Sequence, residues 1–260
     1  MSPQITTSNV EKTLWPLVFI HGSFANSKSW YKIIDKLGDN YQCIAVNLPG
    51  HGGLEDPTDF DCPTFEPEFE KIEKAICDIP YANNGVHLIG HSFGGVVALA
   101  AALNNRLPIK KLTLFEPVAV NVLQTFTETK ALKTVLDFVN LYETAFKTGQ
   151  ENVCARVIDF WGGKGSFDLI PDHIKKVMVH LTANNLRHWR LCMKSEGGIS
   201  DYKNLNIPVT LVHGSNSNTV AKRIVSSLNT HLPKSSIKII DDATHFMITS
   251  HPQECVDIIR

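Results

Sequence analysis

Ser92 stands within Gly90-His91-Ser92-Phe93-Gly94-Gly95, between a short apolar run and a stretch rich in valine and alanine. A G-x-S-x-G pentapeptide between a buried strand and a helix is the setting of a nucleophile elbow. Glycine at 90 and 94 leaves room for a sharp turn that lifts the Ser92 hydroxyl off the sheet edge, and Gly95 lets the helix approach closely. The start of that helix adds free N–H groups and the positive end of a dipole, which favour negative charge. Such a serine does acyl chemistry once a base takes its proton.

Of the eleven histidines, His245 in Asp241-Asp-Ala-Thr-His245-Phe-Met is the best base, because it follows the last strand-like run and a loop there carries an imidazole over the sheet edge. His173, His180, His188, His231 and His251 read as loop or helix-surface residues, His91 points away from Ser92 by adjacency, and His21 buttresses its loop. The base needs an orienting acid. The turn His213-Gly-Ser-Asn-Ser217-Asn218 holds no carboxylate, whereas Glu116 ends the apolar run just after the elbow helix, at the sheet edge where ligand chemistry gathers. Asp241 and Asp242 are too near His245 in sequence for their loop to fold back easily. The expectation is a Ser92, Glu116, His245 set in which Glu116→Gln costs orders of magnitude in kcat and Ser217→Ala little. Oxyanion donors are expected from the N–H groups of Phe93 and of Ser23, in His21-Gly22-Ser23-Phe24. Phe24, Trp161 and Phe246 are assigned to the pocket wall.

Other site chemistries lack their residues. His21-Gly-Ser-Phe-Ala-Asn26 is not a dinucleotide fingerprint. Trp161-Gly-Gly-Lys164-Gly-Ser166 lacks both the upstream glycine of a phosphate loop and a Ser or Thr directly after the lysine. No His and carboxylate set has metal spacing, so neither metal nor cofactor is expected.

Short apolar runs alternating with helix-period stretches position these residues, the pattern of parallel βαβ units. Strands are predicted at 17–20, 43–46, 86–89, 112–115, 209–212 and 237–240, and helices at 30–37, 69–76, 94–105, 220–232 and 253–260. From 118 to 206 no clean strand signal occurs, only helical segments such as 131–146 and 173–191. The reading is an α/β core of residues 1–117 and 207–260, interrupted by a helical cap of residues 118–206.

Composition narrows the classes. The chain of 260 residues is 43% hydrophobic and 20% charged, with 25 Lys+Arg against 26 Asp+Glu for a net charge of −1. No global field favours nucleic acid or an anionic membrane. The longest apolar run, residues 96–103, is far short of the roughly 20 residues needed to cross a bilayer. Six scattered cysteines without a C-x-x-C pair read as reduced thiols. With no signal peptide at the start, a cytoplasmic monomer or homodimer acting on a small molecule is expected.

The chain resembles the α/β-hydrolase superfamily in its form with a helical cap, over essentially its whole length. The carrying residues are His21-Gly22-Ser23-Phe24, Asn47-Leu-Pro-Gly50-His-Gly52, the elbow at 90–95, and His245-Phe246, in that order. The resemblance implies a mostly parallel sheet flanked by helices and a triad ordered nucleophile, acid, histidine, which Ser92, Glu116 and His245 obey. Two departures stand out: Asn47 replaces the usual aspartate before Leu-Pro-Gly, and the acid usual after residue 212 is missing. Certain haloalkane dehalogenases place the acid where Glu116 sits, but they use an aspartate nucleophile, so serine at 92 argues against dehalogenase and epoxide hydrolase activity. The implied activity is a carboxylesterase cleaving a small or medium, largely apolar ester through an acyl-enzyme. Alternatives on the same groups are a carbon–carbon bond hydrolase, a perhydrolase or a hydroxynitrile lyase, and outside catalysis a small-molecule receptor.

Overall fold

The computed structural model describes residues 15–77, 79, 82–194 and 196–260. Residues 1–14, which the sequence reading places in the core segment, lie outside the described residues. The strand β1 (Leu17–Ile20) is followed by α1 (Tyr31–Leu37), β2 (Cys43–Val46) and α2 (Glu66–Cys77). Next come β3 (Val86–His91), α3 (Phe93–Leu103) and β4 (Ile109–Phe115). Six helices then intervene: α4 (Asn121–Thr125), α5 (Thr129–Lys147), α6 (Ala155–Gly162), α7 (Asp172–His180), α8 (Thr182–Met193) and α9 (Ile199–Asn204). The chain ends with β5 (Val209–Gly214), α10 (Thr219–His231), β6 (Ser235–Ile240), α11 (Met247–Ser250) and α12 (Pro252–Ile259).

The strands form one sheet in the order β2-β1-β3-β4-β5-β6, every pair parallel. Parallel strands must have both faces covered, and the period-2 alternation of side chains does this. Val18 and Ile20 of β1 join the cluster packed by α2, α3 and α10, while Leu17 and Phe19 join the opposite cluster with Trp30, Ile33 and Val256. The strand order reverses between β1 and β3, so a crevice opens where their C-terminal ends diverge. Register fixes what meets there: Ile20 pairs with Gly90, His91 with Phe115, and Phe115 with Val212. The residues just beyond, Ser23, Ser92, Glu116 and Gly214, therefore share one edge of the sheet.

One expected helix is two. The sequence reading carries a helix through 173–191, but the chain turns at Leu181, where α7 ends and α8 begins. No proline or glycine marks that break, so it carries no local signal. All six cysteines are free thiols. Among the described residues no helix is long and apolar enough to cross a membrane, and no group of His, Cys, Asp or Glu is placed to hold a metal ion.

Candidate active site

Ser92 sits between the fully buried strand β3 and α3 at φ 55° and ψ −121°. This region is unfavourable for a side chain bearing a Cβ, costs about 1–3 kcal/mol, and persists only where the surroundings over-determine it. Here they do. The Ser92 N–H donates to the Phe115 carbonyl at 3.0 Å, and its own carbonyl accepts from Gly95 at 3.0 Å. A Cβ on Gly90 would run into the Gly94 carbonyl, and one on Gly94 into the Ile20 carbonyl, so both elbow glycines answer to backbone that cannot move aside. The N–H of Phe93, first residue of α3, has no carbonyl one turn earlier within the helix to bind.

Glu116 also has a positive φ, 41°, which turns its side chain back beneath the sheet edge. It is 1% exposed. Its Oε2 accepts from His245 Nδ1 at 2.7 Å, and its Oε1 accepts from the Gly214 N–H at 3.0 Å and from the Ser217 hydroxyl. Burial pushes the Glu116 carboxyl up, but the His245 bond and charge, the Ser217 hydroxyl and the Gly214 N–H outweigh it and hold the group below its ordinary value. An ionised carboxylate only accepts, so His245 carries its proton on Nδ1 and leaves Nε2 as the basic nitrogen. Asp241 and Asp242 are exposed.

The His245 ring lies between His91, 4.9 Å between centroids, and Trp161, 5.4 Å and nearly parallel. His91 Nε2 donates to the His245 carbonyl at 2.8 Å, which pins the loop. Burial, and then the charge of His245, lower the His91 pKa to about 3, so His91 is a neutral brace. His21 is likewise neutral at about 3, through burial first; it accepts from the Leu48 N–H at 3.0 Å and contacts the Gly22 carbonyl at 2.8 Å.

Ser92, His245 and Ser23 open into one cavity of about 820 Å³, and Phe24, Trp161 and Phe246 line it too. No Asp, Glu, Lys or Arg among the described residues lines it. Trp161 stacks on Trp189 at 5.9 Å, and Phe246 meets His245 edge-on at 6.0 Å. The Lys164 turn is no anion cradle: Asp159 accepts the N–H groups of Gly165 and Phe167 at 3.1 and 2.9 Å.

One sequence expectation needs correction. His188 is not on a helix surface. It is 1% exposed, stacks face-on against Phe93 at 3.7 Å and shares a 2.8 Å hydrogen bond with the Ser23 hydroxyl. Burial first, then the proximity of His51, the Arg187 guanidinium and His21, hold it well below its ordinary pKa, so it is neutral. Ser217, which carries no negative charge of its own, donates its hydroxyl to Glu116, a contact the sequence reading did not foresee. Sequence reasoning also missed Asn185 and Cys192, which with His188 and Trp189 form one face of α8 along the cavity. Their i, i+3, i+4, i+7 spacing was the available signal.

The profile of the alpha/beta hydrolase family matches residues 17–258, nearly the whole chain. The chain belongs to the alpha/beta hydrolase family. A pimeloyl-(acyl-carrier protein) methyl ester esterase of Aeromonas salmonicida is 24% identical over 252 residues, covering 94% of this chain and 93% of the relative. A probable lysophospholipase of Arabidopsis thaliana, BODYGUARD 2, is 35% identical over 106 residues, which are 39% of this chain and 22% of that protein. The match thus spans about a fifth of that plant relative. Among solved structures, MenH from S. aureus superposes with a TM-score of 0.71 at 22% identity, covering 94% of this chain and 91% of the other. This alpha/beta hydrolase shares their fold, with the six strands in one parallel sheet.

Proposed function

We propose that this hydrolase is a serine-dependent carboxylesterase for a small or medium, largely apolar ester, with Ser92 as nucleophile, His245 as base and Glu116 as acid. The observation that carries the reading is the buried Glu116–His245 contact at 2.7 Å, beside an elbow serine on the same cavity. The substrate carbonyl lodges against the N–H groups of Ser23 and Phe93. His245 Nε2 takes the Ser92 proton as Oγ attacks, and the charge that develops on oxygen is met by those two donors. Losing one of them costs about 100- to 1,000-fold in kcat. His245 then protonates the leaving alcohol, water enters, and the same groups run the second half in reverse order. Glu116 stays ionised throughout and holds the imidazole in the tautomer the reaction needs.

Residues 118–206 act as the cap, supplying Trp161 and Trp189 to the chamber over Ser92. A chamber without charged lining favours an uncharged acyl or alcohol group, because an unpaired ion there would lose its hydration without compensation. The esterase name of the Aeromonas relative supports ester chemistry. The test is a panel of p-nitrophenyl esters graded by acyl length beside diketones and peracid-forming conditions. Saturable, Ser92-dependent release from apolar esters is expected; turnover of the diketones alone, or of no substrate by a folded protein, would replace the reading by a carbon–carbon hydrolase or a receptor.

A further inference from the structure

Asn185 brings a side-chain amide to a largely apolar wall. It lies on α8, one turn before His188, and is 3% exposed while lining the cavity. Its carbonyl oxygen is committed: the Tyr142 hydroxyl of α5, itself fully buried, donates to Oδ1 at 2.8 Å. The opposite orientation would leave a buried phenol O–H without an acceptor among the described residues, a cost native interiors avoid. Burial pushes the Tyr142 phenol up, so it remains a donor. The Asn185 amide nitrogen is thereby turned away from Tyr142. Its two N–H groups have no acceptor among the described residues. Unlike the His188 Nε2 atom, which is sealed off, this nitrogen is not closed in by protein and faces the chamber.

We propose that Asn185 is a second recognition point in the cavity, donating to a neutral oxygen (ether, hydroxyl or carbonyl) that the substrate carries apart from its scissile ester. This deepens and rests on the esterase reading. A carboxylate is the wrong ligand, because no cationic side chain lines the chamber and the neighbouring Arg187 is bound to Glu68 and Asp59. Position bounds the substrate. His188, three residues on, holds the Ser23 hydroxyl beside the oxyanion donors. One helical turn rises about 5 Å, so the accepting oxygen belongs a few bonds from the scissile carbonyl rather than at the end of a long chain.

The chemistry gives a sign that a structural role would not produce. In a wholly apolar chamber an ether oxygen is worse than a methylene, because it must shed water for nothing. Opposite a waiting amide the order reverses. The test uses matched esters in which one methylene is replaced by an ether oxygen, scanned along the acyl chain of p-nitrophenyl esters in one arm and along the alcohol of alkyl acetates in the other. Wild type is expected to prefer the oxygen analogue at one position on one arm, by about tenfold in kcat/KM and chiefly through KM. Asn185→Leu strands the Tyr142 hydroxyl, so the paired Asn185→Leu/Tyr142→Phe variant, which removes both partners, is measured beside it. In that variant the preference should reverse in favour of the methylene. Preference for the methylene at every position in wild type, or an oxygen preference that survives in the paired variant, would overturn the proposal. Ser92→Ala separates the two claims: hydrolysis that persists in it removes the esterase reading itself, whereas Ser92-dependent hydrolysis without an oxygen preference removes only the Asn185 site.

Discussion

Glu116 shows how much one residue's surroundings decide. Its carboxylate receives three donors, from His245, Ser217 and Gly214, and is held ionised below its ordinary value of 4.5 despite burial. Glu116→Gln is expected to lower kcat by roughly 1,000- to 10,000-fold with KM little changed, since the amide can present its N–H to His245 and fix the wrong tautomer. Ser217→Ala removes one donor. A carboxyl with a depressed pKa contributes stability that is present above the unfolded value and lost as pH falls through the folded one. Ser217→Ala is therefore expected to cost on the order of 1 kcal/mol near neutral pH, with the gap to wild type closing in acid; urea titrations across pH check this. A gap that widens in acid would contradict it. Ser92, Glu116 and His245 were all legible as candidates, because an elbow motif and strand ends leave local marks. The Ser217 contact was not, since it joins positions 101 residues apart.

At the scale of elements, α8 is the piece least visible in sequence. Arg187 is fully buried on it, with Nη1 2.6 Å from Glu68 of α2 and Nε 2.6 Å from Asp59. It also donates to the Thr64 carbonyl at 2.9 Å. Burial raises the Glu68 pKa although Arg187 pulls it down, so the pair sits in a costly environment held by geometry. Arg187→Met strands the Glu68 charge and is expected to destabilise by about 3–5 kcal/mol, read by chemical denaturation. Arg187→Met/Glu68→Leu should recover part of that loss, because no buried charge then remains. Equal losses for the single and double variants would show that the ion pair is not what fixes α8 to the core. The six strands were readable from apolar runs and turn residues. The partners of Arg187, 119 and 128 residues away, were not, because helical periodicity reports which face is buried and never against what. The same blindness merged α7 with α8 and placed His188 on a surface.

For the whole molecule, the sheet's reversal of strand order and the segment inserted after β4 together make the chamber. The core supplies Ser92, His245 and the Ser23 loop, and the inserted helices supply Trp161, Asn185, His188 and Trp189. Near-neutral overall charge and an uncharged chamber belong to one account, in which binding runs on apolar burial and a few placed donors rather than on a steering field. Rates should accordingly be nearly independent of ionic strength for neutral esters, and acyl groups bearing a carboxylate should be turned over much more slowly than their neutral isosteres. The central claim is a covalent acyl-enzyme on Ser92. The most direct measurement is intact-protein and peptide mass spectrometry after reaction with a fluorophosphonate, with Ser92→Ala as control. One adduct per chain on the peptide carrying Ser92, absent from the variant and accompanied by loss of ester hydrolysis, is the result the account requires. A folded wild-type protein that takes no label, or labels equally well with alanine at 92, would contradict it.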